Sequence, residues 1–193
     1  MLSAEPLTSI FLVATYAFIG GGIKYIDQAY DIGIFDKKIA LLLAVITGIL
    51  MGSLIATDQY SAIIFLGIVL SVAITRKIDS PAFYLGVLIV LAAPLAYLFL
   101  FQKVNLNWLP FVIIVISGII DEIGNDMADV KKISGVIQKF FAYRFSMKIA
   151  VLLLALFAFL PILYLVAFLA FDVSYALIDS YSLRELQNAK RVA

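Results

Sequence analysis

The sequence predicts an all-α membrane protein, a polytopic bundle of about seven transmembrane helices. Of its 193 residues 64% are hydrophobic and 14% are charged, whereas soluble domains carry about 25% charged residues. Its apolar residues form long uncharged runs, at residues 39–57, 80–102 and 149–171. Each run is close to the ~20 residues that cross a bilayer as a helix. We therefore expect one transmembrane domain over residues 1–193.

Seven spans account for the apolar runs. The predicted spans cover residues 6–26, 39–57, 59–75, 80–102, 104–120, 144–160 and 162–181. The last two follow each other closely, and Pro161 is the only hinge between them, because proline breaks a helix.

The distribution of basic residues predicts the orientation. With seven spans, 13 of the 14 Lys and Arg residues lie on one side, and only Lys103 lies on the other. Merging the last two spans would weaken this ratio to ten against four. Cytoplasmic loops carry the excess of positive charge, so we expect the N-terminus outside. Because MLSAEPLTS contains no basic residue, we do not expect a cleaved signal peptide.

Two segments resemble each other. KIALLLAVITGIL at residues 38–50 is similar to KIAVLLLALFAFL at 148–160, and each follows an acidic cluster. Four predicted spans separate the two clusters, so both are expected on the cytoplasmic side. This pattern predicts a parallel internal repeat with halves 1–101 and 102–193.

The composition restricts the chemistry. The chain contains no cysteine and no histidine, which excludes disulfides, thiolate nucleophiles and ordinary zinc sites. Oxygen ligands remain, and these suit Mg²⁺, Mn²⁺ or Ca²⁺. A net charge of +1 gives no indication of a nucleic-acid partner.

Both acidic clusters follow apolar runs. In DEIGNDMADVKK, residues 121–132, Glu122, Asp126 and Asp129 have the spacing of one helical stripe, with Asn125 beside it. In YIDQAYDIGIFDKK, residues 25–38, Asp27 and Asp31 are one turn apart, and Asp36 lies beyond an expected helix end.

Two interpretations of these clusters stay open on spacing alone. Like charges one turn apart cost roughly 0.2–0.5 kcal/mol per pair, and anions near a helix C-terminus cost roughly 0.3–1 kcal/mol each. A bound divalent cation would reverse that sign. Alternatively, the acids are solvated and neutralised by Lys37, Lys38, Lys131 and Lys132. Two clusters on the same membrane face, ringed by basic residues, favour a Mg²⁺–diphosphate site beside a wall suited to a lipid tail.

DEIGNDMADV resembles the second Asp-rich motif of UbiA-type intramembrane prenyltransferases, through Glu122, Ile123, Asp126, Asp129 and Val130. The family's first motif, NDxxDxxxD, lies four helices earlier on the same side. Asp27, Asp31 and Asp36 occupy that place here. The resemblance covers about residues 7–180, helices two to eight of the family's usual nine.

The sequence departs from the family pattern in several places. Ile26 stands where the first motif has Asn, and its acid spacing differs. Lys37 and Lys38 replace an Arg-Pro pair, and Lys131 and Lys132 replace the final Gly-Asp. A diverged enzyme or an inactive relative would show such differences.

The resemblance implies magnesium- or manganese-dependent transfer of a prenyl group from its diphosphate to an unknown acceptor. The implied catalytic metal ligands are Asp27, Asp31, Asp126 and Asp129, and Asp36 and Glu122 are further ligands. The implied diphosphate contacts are Asn125, Lys131, Lys132 and Arg144.

A rival hypothesis is a cation-coupled transporter or channel. Asp172 lies within the last predicted span, where an ionisable residue is expensive and usually functional. Asp179, seven residues later, faces the same side of that helix and extends the possible site. Gly20–Gly22 predicts close helix packing or a local break before the first acidic cluster.

Overall fold

A computed structural model describes residues 6–101, 106–130 and 132–192, with side chains except at 97, 100, 101, 129 and 190–192. These residues form helices and no strand, which confirms the all-α prediction. The helices are α1 (Pro6–Asp31), α2 (Lys37–Thr57), α3 (Gln59–Ile74), α4 (Pro81–Phe101), α5 (Trp108–Asp129), α6 (Gly135–Ala142), α7 (Phe145–Leu156) and α8 (Ile162–Val192).

Four of these helices, α1, α2, α5 and α8, are long and apolar enough to cross a membrane. This confirms a multi-pass membrane protein. Among the described residues, the shorter apolar helices are α3, α7 and the Pro81–Ala96 part of α4. At about 1.5 Å per residue, the 12 residues of α7 rise only ~18 Å, against a hydrocarbon core of ~30 Å. The count of seven spans therefore stays a prediction. Helix α6 was not predicted.

Two helices continue beyond their predicted spans. Helix α1 ends at Asp31 and α5 at Asp129, so most of the acidic residues belong to helices rather than to loops. Pro161 is confirmed as a break, because α7 ends at Leu156 and α8 begins after the proline. In this connection Ala158 has a φ of 60°.

The chain divides into two compact units. Within the described residues, unit 1 comprises 6–53, 80–93 and 166–192, and unit 2 comprises 54–79, 94–101, 106–130 and 132–165. These boundaries differ from those of the predicted repeat halves, so the repeat stays a prediction.

Small residues bring the helices of unit 1 together. A Cβ added at Gly20 would overlap the backbone oxygen of Phe171 in α8. A Cβ added at Gly22 would lie 2.5 Å from Cγ2 of Thr47 in α2. Close packing is therefore confirmed for these glycines, and α1 runs through them without a break. The buried core of this unit joins α1, α2 and α4, through Ile26, Ala29, Ala40, Ala44 and Ala82.

Helix α5 organises unit 2, where it packs against α3, α6 and α7. A Cβ at Gly118 would lie 2.5 Å from Oγ of Ser71 in α3 and 2.8 Å from Cε of Met147 in α7. Gly124 lies directly against the ring of Phe141 in α6. Helix α5 is thus in close contact with α3 and α7 at Gly118 and with α6 at Gly124.

Candidate functional site

The end of α5 carries a buried ion pair between Glu122 and Arg144. Nη1 of Arg144 lies 3.2 Å from Oε1 of Glu122, and Nη2 donates to Oε2 at 3.4 Å. The Glu122 side chain is 7% exposed and that of Arg144 is 36% exposed. Two parallel contacts orient the guanidinium plane against the carboxylate, so Glu122 is neutralised in place.

One turn later, Asp126 forms an ion pair with Lys77 in the connection from α3 to α4. The Asp126 side chain is 54% exposed. Of the two carboxylates Glu122 and Asp126, it is therefore the accessible one. Burial lowers the pKa of Lys77, but the hydrogen bond to Asp126 and the charges of Asp126 and Glu122 outweigh it. The pKa of Lys77 therefore lies above its ordinary value.

Asp121 has a role that the sequence did not indicate. Its carboxylate is buried and accepts hydrogen bonds from the backbone N–H groups of Ser146 at 2.9 Å and Met147 at 2.8 Å. These N–H groups belong to the first turn of α7, where the helix has no partner of its own for them. A carboxylate of α5 therefore caps α7, a contact that only the packing of the two helices creates.

The remaining predicted residues of this cluster are Asn125, Asp129, Lys131 and Lys132. The side chain of Asp129 and the whole of Lys131 lie outside the described residues. Lys132 is exposed and Asn125 is half-buried. No described contact brings Lys132 to the acids.

The first cluster, in unit 1, is organised around Lys24. Its ammonium lies 2.7 Å from Oδ2 of Asp27 and 3.0 Å from Oδ1 of Asp179 in α8. Nε2 of Gln28 donates to the same Oδ1 of Asp179 at 2.9 Å. Lys24 also faces the ring of Tyr175, 5.1 Å from its centroid. Asp27 thus belongs to a polar network between α1 and α8. The sequence had indicated Asp179 as a candidate site residue, but it had not indicated that Asp179 contacts α1.

The other acids of the first cluster lie at helix ends. Asp31 is the last residue of α1 and is exposed. Oδ1 of Asp36 accepts hydrogen bonds from the backbone N–H groups of Lys38 at 2.6 Å and Ile39 at 3.2 Å. Asp36 is therefore an N-cap of α2, and the expected helix end before it is confirmed.

A similar capping residue, Asp58, was missed. It accepts from the backbone N–H of Ser61 at 2.9 Å at the start of α3, and from the hydroxyl of Tyr164 at 2.8 Å. A Thr-Asp pair between two apolar runs was the available signal for this cap.

Within the part of the chain described, no group of three or more His, Cys, Asp and Glu side chains is arranged to hold a metal ion. Three of these acids form described ion pairs, Asp27 with Lys24, Asp126 with Lys77 and Glu122 with Arg144. Asp27 and Asp31 belong to unit 1 and Glu122 and Asp126 to unit 2. Convergence of the two clusters on one metal stays a prediction.

The two ion pairs of unit 2 are expected to differ in their effect on stability. Replacing Arg144 by Met leaves the buried Glu122 carboxylate unpaired and should lower the free energy of unfolding by about 1–3 kcal/mol. Replacing Lys77 by Met removes a more exposed pair and should cost less than about 1 kcal/mol. Denaturant titration of both variants in detergent measures this; equal losses would contradict the difference in burial.

The fold and these polar networks define an integral, multi-pass α-helical membrane protein with ionisable residues paired between its helices. Comparison with family models, with curated proteins and with solved structures gave no match.

Proposed function

We propose that the protein binds a prenyl diphosphate at the acidic end of α5 and transfers its prenyl group to an acceptor. One observation carries this proposal. Two carboxylates, Glu122 and Asp126, and two cations, Lys77 and Arg144, are gathered on one helix end next to apolar helices.

The charges suit a metal–diphosphate headgroup. Mg²⁺ is usually held by one or two protein carboxylates together with phosphate oxygens of the substrate, rather than by a complete protein cage. Asp126 is the accessible carboxylate, with the Asn125 amide beside it in sequence. Asp126 would hold the metal, and Lys77, whose ammonium pairs with Asp126 in this structure, would then be available to contact a phosphate oxygen.

Glu122 and Arg144 fit a positioning role in this proposal. Their bidentate contact fixes the guanidinium beside the Asp126 turn, where it adds positive charge for the diphosphate. The residues that the UbiA-type resemblance adds here, Asp129, Lys131 and Lys132, follow directly in the chain. Their participation is part of the proposal.

The proposed reaction separates charge at the allylic carbon. Its bond to the diphosphate oxygen breaks, and the electron pair leaves with the diphosphate. A nucleophilic atom of the acceptor forms the new bond to that carbon and releases a proton. Bound Mg²⁺ would neutralise charge on the leaving diphosphate, and the apolar side chains of α5 and of the helices packed against it would lie beside the prenyl chain.

Binding of geranylgeranyl diphosphate to detergent-purified protein tests the proposal. We expect binding in Mg²⁺, at least a tenfold weaker affinity in EDTA, and a similar loss in Asp126→Asn. Asp79→Asn is the matched control, because it makes the same change at an exposed acid of the same unit. If this result is obtained, prenyl transfer to candidate acceptors can be screened with the wild-type protein alone.

Weak binding that is the same with and without magnesium, and the same in Asp126→Asn, would reject the proposal. Such binding is expected from non-specific partition of the prenyl chain into apolar surface and detergent. Equal losses in Asp79→Asn would likewise reject a specific role for Asp126.

A cation-coupled transporter is the second candidate. The observation favouring it is the network of Lys24, Asp27 and Asp179, because α1 and α8 are both long and apolar enough to span the membrane. Ionisable residues inside such helices mark ion pathways. Ion flux into liposomes, abolished by Asp179→Asn, would favour this function over prenyl transfer.

A further inference from the structure

The network between α1 and α8 contains a buried polar atom without a partner. The Gln28 side chain is 4% exposed. Its Nε2 donates to Asp179, but its carbonyl oxygen Oε1 has no hydrogen-bond donor among the described residues. Leaving such an acceptor unsatisfied costs about 1–3 kcal/mol, so a native structure is expected to supply a partner.

Rotation of the Gln28 amide does not give its oxygen a hydrogen-bond donor. Turning the Gln28 side chain by 180° would place its oxygen against Oδ1 of Asp179, which is an acceptor, and the bond of 2.9 Å would become a repulsion. The orientation is therefore fixed by Asp179, and Oε1 stays available on the same side chain.

The charges of the network do not balance either. Asp27 and Asp179 are two anions that share the single ammonium of Lys24, at 2.7 Å and 3.0 Å. Counted at neutral pH, the network has one negative charge in excess. The Asp27 side chain is 26% exposed and that of Asp179 is 37% exposed. The excess charge is therefore partly removed from water, and an ion without a compensating partner is costly to that extent.

An unpartnered carbonyl oxygen and one excess negative charge are both satisfied by a single positive charge. Hard cations select carboxylate and amide oxygens as ligands. A divalent ion would leave the network with one excess positive charge next to Lys24, whereas a monovalent ion brings it to zero.

We propose that Gln28 Oε1 and the Asp179 carboxylate bind a monovalent cation, Na⁺ or K⁺, between α1 and α8. This site lies in unit 1 and is independent of the prenyl-diphosphate proposal, which concerns α5. Mg²⁺ and the diphosphate are not required for it.

Thermal unfolding of the detergent-purified protein tests the site. Buffers contain EDTA and equal ionic strengths of sodium, potassium or choline chloride, since choline is too large for oxygen ligation between packed helices. We expect Tm in Na⁺ or K⁺ to exceed that in choline by about 5 °C or more at a hundredfold excess over Kd. Comparison of the two alkali ions identifies which one binds.

Two variants locate the ion. Asp179→Asn and Gln28→Met should each lose most of the alkali-ion shift, whereas Glu185→Gln, the same charge change at an exposed acid of α8, should retain it. Should a variant fail to fold, binding of radioactive sodium to the wild type, and its competition by potassium, still decides the question.

Identical Tm values in the three salts, or an unchanged ion shift in Asp179→Asn, would overturn the proposal. A buried water would then be the partner of Gln28. Geranylgeranyl diphosphate binding should be the same in Gln28→Met as in the wild type, so failure of one proposal leaves the other measurable.

Discussion

Replacing Asp121 by Ala is expected to lower the free energy of unfolding by about 2–4 kcal/mol. The substitution removes both oxygens that accept from Ser146 and Met147 at the start of α7. It leaves two backbone donors without a partner at a buried position, since Asp121 is 2% exposed. Water has little access to replace the carboxylate there, and the favourable interaction of the anion with the N-terminus of α7 is lost as well.

Denaturant titration of Asp121→Ala in detergent, followed by circular dichroism, measures this loss. Asp121→Asn should fall between the wild type and Asp121→Ala, because the amide keeps one acceptor. Asp36→Ala is the control, since Asp36 caps α2 in the same way but at an exposed position. It should cost only about 1 kcal/mol, and a loss as large as that of Asp121→Ala would contradict the role of burial.

Replacing Gly20 by Ala is expected to cost about 2 kcal/mol or more. The added methyl group would overlap the backbone oxygen of Phe171, and it would lie 2.8 Å from the carbonyl carbon of the same residue. Main-chain atoms of a helix cannot rotate away as a side chain can. Helices α1 and α8 would have to separate, and the packing along their contact would be lost.

Gly86→Ala in α4 is the matched control for this substitution. A Cβ there lies 3.7 Å from the backbone oxygen of Ala44 and 3.9 Å from its Cβ, which is ordinary contact. Alanine is the better helix former by about 1 kcal/mol, so this variant should be unchanged or more stable. Thermal unfolding of both variants gives the comparison; a loss in Gly86→Ala equal to that in Gly20→Ala would contradict the steric account.

Much of the local structure could be read from the sequence because local composition controls it. The apolar runs became helices, Pro161 separated α7 from α8, and Asp36 lay beyond the end of α1. The close packing at Gly20–Gly22 followed from the small residues themselves. The predicted spans ended at residues 26 and 120, whereas α1 and α5 continue as helix to Asp31 and Asp129, in keeping with the helical spacing of the acids.

The partners of the acids could not be read from the sequence. Lysines adjacent in the chain were the expected neutralising residues, but the ion pairs of Asp126 and Glu122 come from positions 49 and 22 residues away. Asp179 reaches α1 across 151 residues. Such contacts depend on which helix faces pack together, and apolar runs of similar composition leave that choice open.

The sequence by itself therefore determined that this chain is a multi-pass helical membrane protein whose chemistry depends on oxygen and nitrogen groups alone. Hydrophobicity and the absence of Cys and His are properties of the composition, so their consequences do not depend on how the helices pack. Only the tertiary structure decided that Asp121 caps α7, that Glu122 is buried against Arg144, and that the Gln28 side-chain oxygen has no donor among the described residues. Hydrogen bonds and ion pairs act over about 3 Å, so the packing of distant segments decides which of them form.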